Sequence, residues 1–217
     1  MCKTELDSQW WIDRRVWVGV DLSQTDDNTA VAMVTEEEGF VYTKVMGFIP
    51  TDKIAIKTQK EHVDYQRLIN KGECIACGEE VIDYSVVEDY VTHALEERYG
   101  VTVEQVGYDR YNAISSVQKM EAEGLECVEI KQHSSVLHQP TKWLKEVILQ
   151  QRFRYEENRL LEINFQNARC TEDTNLNKYV NKKKSTGKVD EVVALINAMY
   201  LLQQYLLNDD SFVAQTA

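Results

Sequence analysis

The sequence predicts an α/β fold built on a mixed central sheet, with three antiparallel N-terminal strands, then parallel strands, flanked by helices. Two patterns and one bulk property predict it. Three apolar, β-branched runs (residues 16–22, 29–35 and 40–49) follow one another across short polar turns, as in an antiparallel meander. Beyond residue 84, helical stripes alternate with short strand-like runs, which makes the later pairings parallel. The chain has 217 residues, 43% of them hydrophobic, with two prolines and nine glycines, so a core is affordable and a disordered linker is not. The expectation is a single domain over 1–217. Residues 1–15 form an N-terminal extension, and about 169–188 a hairpin or basic loop insertion.

The first strand, Val16-Trp17-Val18-Gly19-Val20-Asp21-Leu22, ends in the polar run Ser23 to Asn28. Thr29 to Thr35 and Phe40 to Ile49 flank the turn Glu36-Glu37-Glu38-Gly39. Helical patterns cover 61–70 and 84–99. The second carries Val86, Val87, Tyr90, Val91, Ala94 and Leu95 on one stripe and stops at Gly100. A strand is expected over 104–109, a helix over 112–123 ending at Gly124, and a strand over 125–130. Pro140 precedes a helix expected over 141–151. Residues 159–168 fit a helix or a strand, 169–184 a hairpin turning at Asn175-Leu176-Asn177, and 189–207 a long final helix. No internal repeat or low-complexity segment occurs.

The net charge of −12 argues against a nucleic-acid binder, but the charge is unevenly spread. Lys131 to Lys188 carries a local excess of +6, and the remainder −18. A basic segment on an acidic body suits either a phosphate-gripping face or a plain solvated surface. No signal peptide and no membrane span are expected, because no basic start with an apolar run and no stretch of about 18 apolar residues occurs. Five cysteines at irregular spacing fit reduced thiols. Cys74-Ile75-Ala76-Cys77 has the spacing of half a zinc site, but no second pair completes it.

Three aspartates stand at element ends: Asp21 closes the first strand, Asp109 the fourth, and Asp190 opens the last helix. A carboxylate at the edge of an apolar element is costly unless paired or metal-bound. Strand C-termini form the usual site edge of an α/β sheet. Converging there, the three suit two divalent cations, Mg²⁺ or Mn²⁺, which take hard oxygen ligands and serve phosphodiester hydrolysis. Asp21 is then the bridging ligand, with Asp109 and Asp190 each completing one ion. The plainer alternative is that Asp109 caps the next helix and Asp190 answers the helix dipole. Asp26 and Asp27, in the loop after Asp21, reach toward a second ion or simply shape a turn. Lys182, Lys183, Lys184 and Lys188 lie in a stretch without acids that leads into Asp190, where they would hold DNA phosphates or form an ordinary exposed turn.

Three segments resemble the C-terminal nuclease domain of phage terminase large subunits. They are Val18-Gly19-Val20-Asp21-Leu22-Ser23 with Asp27-Asn28-Thr29-Ala30, Gly107-Tyr108-Asp109-Arg110-Tyr111-Asn112-Ala113, and Lys188-Val189-Asp190-Glu191-Val192-Val193-Ala194-Leu195. The stretch from Gly72 to Tyr84, with Ile82-Asp83, also resembles a segment of that family, which makes the Cys74–Cys77 pair incidental. The resemblance spans roughly 16–205. It implies a ribonuclease-H-like fold and an endonuclease that cuts double-stranded viral DNA during genome packaging, with two divalent cations as cofactors. It further implies a terminase ATPase domain, a small terminase subunit and a portal as partners, and the host cytoplasm as the place of action. No G-x-x-x-x-G-K-[ST] occurs, and Ser185-Thr186-Gly187-Lys188 is not one, so the chain reads as the nuclease half alone.

Three rivals remain at this point. Another ribonuclease-H-like nuclease or recombinase, of resolvase or transposase type, would share the carboxylates. An actin-like phosphotransferase would need a glycine-rich phosphate loop, which Asp21-Leu22-Ser23-Gln24 lacks. A non-catalytic DNA or motor docking module would not cleave.

Overall fold

The computed structural model describes residues 2–7, 9–23, 28–110 and 113–209. Asp26 and Asp27, and Tyr111 and Asn112 of the second motif, lie outside them. Strands β1 (Arg15–Asp21), β2 (Thr29–Glu37) and β3 (Phe40–Ile49) form the antiparallel meander. Their side chains alternate between two cores. Val16, Val18 and Val20 of β1 and Val31 and Met33 of β2 face one side; Trp17, Ala30, Ala32 and Val34 face the other. Burial on both faces is why these strands read as unbroken apolar runs.

A 3₁₀ turn (Thr51–Lys53) leads into α1 (Ile54–Glu61), then α2 (Tyr65–Asn70) and β4 (Cys74–Ala76). Next come α3 (Tyr84–Asp89), a π-helical turn (Tyr90–Ala94) and α4 (Leu95–Tyr99), ended by Gly100 at φ +67°. After β5 (Thr102–Tyr108), α5 (Ile114–Ala122) and β6 (Cys127–Glu129), helix α6 (Ser134–Leu149) returns to β7 (Phe153–Tyr155). Helix α7 (Arg159–Asn167), the hairpin β8 (Cys170–Glu172) and β9 (Lys178–Val180), and α8 (Asp190–Asn208) complete the chain. The main sheet runs β4-β3-β2-β1-β5-β6, with β7 also on β3; every pairing outside the meander is parallel.

Three expectations change and one open alternative is settled. The helix predicted over 61–70 is two helices, α1 and α2, broken at His62, which adopts φ +57°. The helix predicted from Thr141 begins at Ser134 and carries Pro140 inside it. Proline in a helix interior costs about 3 kcal/mol. The buried stripe of Leu137, Pro140, Thr141, Leu144 and Val147 offsets this, since each large apolar side chain contributes about 1.5–3 kcal/mol. Residues 159–167 are helical, not extended. The short strands β4 and β7 were not expected, because three residues on the flank of β3 leave no periodic signal.

Helix α8 lies directly on β1, and Gly19 permits the approach. A Cβ there would stand 2.1 Å from Ala194 O and 2.4 Å from Ala198 N. Asn197, fully buried, fastens the pair by donating from Nδ2 to Val20 O at 3.0 Å. This contact carries the start of α8 toward the end of β1.

Candidate functional site

The sheet register sets two of the carboxylates side by side. Strands β1 and β5 run parallel with Gly19 opposite Gly107, and Asp21 and Asp109 lie two residues beyond each. Both line a cleft of about 550 Å³, together with Gln132, Asn197 and Lys182. Gln132 Nε2 donates to Asn197 Oδ1 at 3.3 Å, which ties the cleft wall to the residue that fastens α8.

Asp190 reaches Asp21 through a lysine. Lys182 Nζ lies 2.6 Å from Asp21 Oδ2 and 3.3 Å from Asp190 Oδ1. Both carboxylates are buried, at 7% and 2% exposure, whereas the lysine side chain keeps 43% of its surface in solvent. Burial of the ammonium alone would lower its pKa. The two carboxylates override that and hold the lysine well above its ordinary value. Asp190 and Glu191 occupy the first turn of α8, where the helix dipole favours negative charge.

Glu191 belongs to the third motif, but nothing in the sequence alone assigned it a role. It has 0% exposure, and neither carboxylate oxygen has a hydrogen-bond partner. Burial, reinforced by the charges of Asp190, Asp21 and Glu61, pushes its pKa far above the carboxylate range. Gly47 makes the room: a Cβ there would stand 2.8 Å from Glu191 Oε1. The backbone N–H of Glu191 donates to Asn164 Oδ1 at 3.2 Å. The signal was available in the helical spacing, since 191, 195, 198 and 202 share one stripe that is otherwise apolar and buried.

A second cleft, of about 770 Å³, opens on the other side of Lys182. Asp190 and Glu61 line it, and so do Lys60, Arg159, Lys183 and Lys188. Glu61 is held there by Tyr65, whose hydroxyl donates to Glu61 Oε2 at 2.5 Å and accepts from Asn28 Nδ2 at 2.8 Å. Of the four lysines predicted to meet phosphate, Lys183 and Lys184 are exposed and Lys188 is half-buried. Lys182 instead turns its ammonium inward.

Among the described residues, no group of three or more His, Cys, Asp or Glu side chains stands in coordinating geometry. Cys74 and Cys77 are buried free thiols. Asp83 caps α3, accepting from Ser85 N at 2.9 Å and Ser85 Oγ at 2.7 Å.

A family model for the endonuclease domain of the terminase large subunit matches residues 3–204. The chain belongs to this family. The terminase large subunits of Lactococcus phages p2 and SK1 are each 30% identical to it over 113 residues, which is 48% of this chain and 19% of theirs. The match thus takes in about a fifth of those relatives' length. Among solved structures, the large terminase of bacteriophage HK97 superposes with a TM-score of 0.79 at 21% identity, over 87% of this chain and 39% of that one. The large terminase nuclease of thermophilic phage G20c gives 0.56 at 15% identity, over 86% and 84%. At such identities the likeness establishes the fold. The mixed sheet of this nuclease-domain family member is ribonuclease-H-like, as the resemblance implied. No helix among the described residues is long and apolar enough to cross a membrane.

Proposed function

We propose that this chain hydrolyses phosphodiester bonds of double-stranded viral DNA during genome packaging, as the nuclease part of a terminase large subunit. Two divalent cations, Mg²⁺ or Mn²⁺, would be held by Asp21, Asp109 and Asp190. The observation that carries the reading is the convergence of Asp21 and Asp190 on a single ammonium, with Glu191 buried behind them. Two buried carboxylates in a low-dielectric corner call for cations.

The donor chemistry fits a hard divalent ion, since every candidate ligand is a carboxylate oxygen. The unpartnered oxygens of Glu191 fit it as well, which makes Glu191 a fourth candidate around the same centre. Bound there, the cations would supply Lewis acidity to an attacking water and to the leaving oxygen of the phosphodiester. The known relatives are consistent with this: one crystal structure of the G20c nuclease contains magnesium, and one of the phage SPP1 nuclease domain contains manganese.

The protein's own residues do the positioning. Asp21 is held by its ladder with Ala30, Asp190 by the packing of α8 on Gly19, and Asp109 by its place directly after β5, which pairs with β1. Lys183 and Lys188 line the second cleft with Asp190, and Lys184 follows in the same exposed turn; their charge would hold the DNA backbone without reading bases. A packaging ATPase domain, a small terminase subunit and a portal are the partners this role requires. The role also places the protein in the host cytoplasm.

The test is nicking of supercoiled plasmid with Mn²⁺ or Mg²⁺. Asp21→Ala, Asp109→Ala and Asp190→Ala should each abolish cleavage while the circular dichroism spectrum is kept. Retention of activity in all three variants rules the assignment out.

A further inference from the structure

Lys182 occupies the place that a metal ion would take between Asp21 and Asp190. Its ammonium is 2.6 Å from Asp21 Oδ2 and 3.3 Å from Asp190 Oδ1. A Mg²⁺ ion bound to those same oxygens would lie about 2.0–2.1 Å from each. Such an ion would need the space between the same two oxygens, and both occupants are positive. Building on the metal-dependent reading above, we infer that Lys182 and a divalent cation are mutually exclusive occupants of the Asp21–Asp190 pair. Metal binding then requires the β8–β9 hairpin and the turn that follows it to carry Lys182 away.

The hairpin is a small element at the margin of the core. Its strands have three residues each and no fully buried side chain. Polar contacts hold it, together with the half-buried Tyr179 and Val180, which pack against the core beneath α6 and α8. Lys178 N donates to His138 Nδ1 at 2.8 Å, and Ser134 Oγ donates to Asp173 Oδ2 at 2.6 Å, both on the first half of α6. Asn181, next to the lysine, donates from its N–H to Arg169 O at 2.9 Å and accepts from Lys184 N at 3.1 Å. An element of two three-residue strands, none of whose side chains is fully buried, belongs to the lower-stability part of a fold. The sheet and α8, which fix the carboxylates, are its opposite.

In the closed position Lys182 neutralises a buried acidic pair, and the same contact holds the hairpin against the site. A cation that displaces it frees the lysine at the mouth of both clefts, beside Lys183. Metal affinity is therefore lowered by the fraction of molecules in which the lysine is seated.

Calorimetric titration with MnCl₂ tests this on the wild-type chain, Lys182→Gln, Lys182→Arg and Asp21→Asn. Lys182→Gln should bind Mn²⁺ about tenfold more tightly or better, Lys182→Arg should stay near wild type, and Asp21→Asn should lose binding. Because Lys182→Gln leaves two carboxylates facing each other and risks misfolding, a second measurement uses the wild type alone. Hydrogen exchange at the Asn181 and Lys184 amides should accelerate when Mn²⁺ is added. Equal Mn²⁺ affinity in wild type and Lys182→Gln, with those amides unchanged, overturns the exclusion and leaves the nuclease reading standing. Absence of Mn²⁺ binding in every protein removes both.

Discussion

Replacing Gly19 by alanine tests the contact on which the site's geometry rests. The added Cβ would stand 2.1 Å from Ala194 O and 2.4 Å from Ala198 N, against an ordinary contact limit of 3.4 Å. The first overlap is thus about 1.3 Å, and both obstructing atoms are backbone, so no side-chain rotation relieves it. Helix α8 must lift from β1 by roughly 1 Å. Overpacking of this kind costs typically about 1–3 kcal/mol, and the backbone clash places Gly19→Ala at the upper end. For a domain of this size that is a fall in Tm of about 6–12 °C. The lift also moves Asp190 relative to Asp21. A displacement near 1 Å is enough to lower the rate about 10²-fold in enzymes that depend on positioning. Thermal denaturation and plasmid nicking with Mn²⁺ measure the two effects. Gly124→Ala serves as the control, since its φ of +94° makes it strained but nothing lies within 4 Å of its Cβ. It should lose some stability and keep its specific activity. Gly19→Ala with wild-type Tm and wild-type nicking would refute the claim that this contact sets the site.

Two other outcomes follow from the same geometry. The Glu191 pKa is raised on folding, so its contribution is favourable below the ordinary carboxylate pKa of about 4.3 and is lost as pH climbs through the folded value. In EDTA, Glu191→Gln should therefore exceed wild type in urea midpoint at pH 8, with the gap shrinking toward pH 5. A gap that widens on acidification contradicts the assignment. Joint replacement of Lys183, Lys184 and Lys188 by alanine should weaken DNA binding and reduce the slope of log K against log salt by about 2–3, as read by fluorescence anisotropy. An unchanged slope means those lysines do not meet phosphate.

The parts of the fold legible in the sequence are those whose signal is local. Strands β1 to β3 announce themselves because both of their faces are buried, and α8 because its apolar residues recur over five turns. Strands β4 and β7 are invisible by the same logic, since their identity is conferred by pairing with β3. Helix α6 was cut short because Pro140 is a local stop signal that a tertiary apolar stripe outweighs. The candidate site divides in the same way. Asp21, Asp109 and Asp190 can be picked out as acids at element ends, whereas Glu191 hides beside one of them.

By itself, the sequence determined the order of the longer elements, the family likeness and which acids stand at strand and helix ends, because periodicity and charge at boundaries are properties of neighbouring residues. Only the tertiary structure decided that Lys182 reaches across 161 positions to Asp21, that Glu191 is sealed in without a partner, and that Gly19 lets α8 descend onto β1. Those facts depend on which distant segments share a low-dielectric space. A single chain position carries no record of the charge that will face it there.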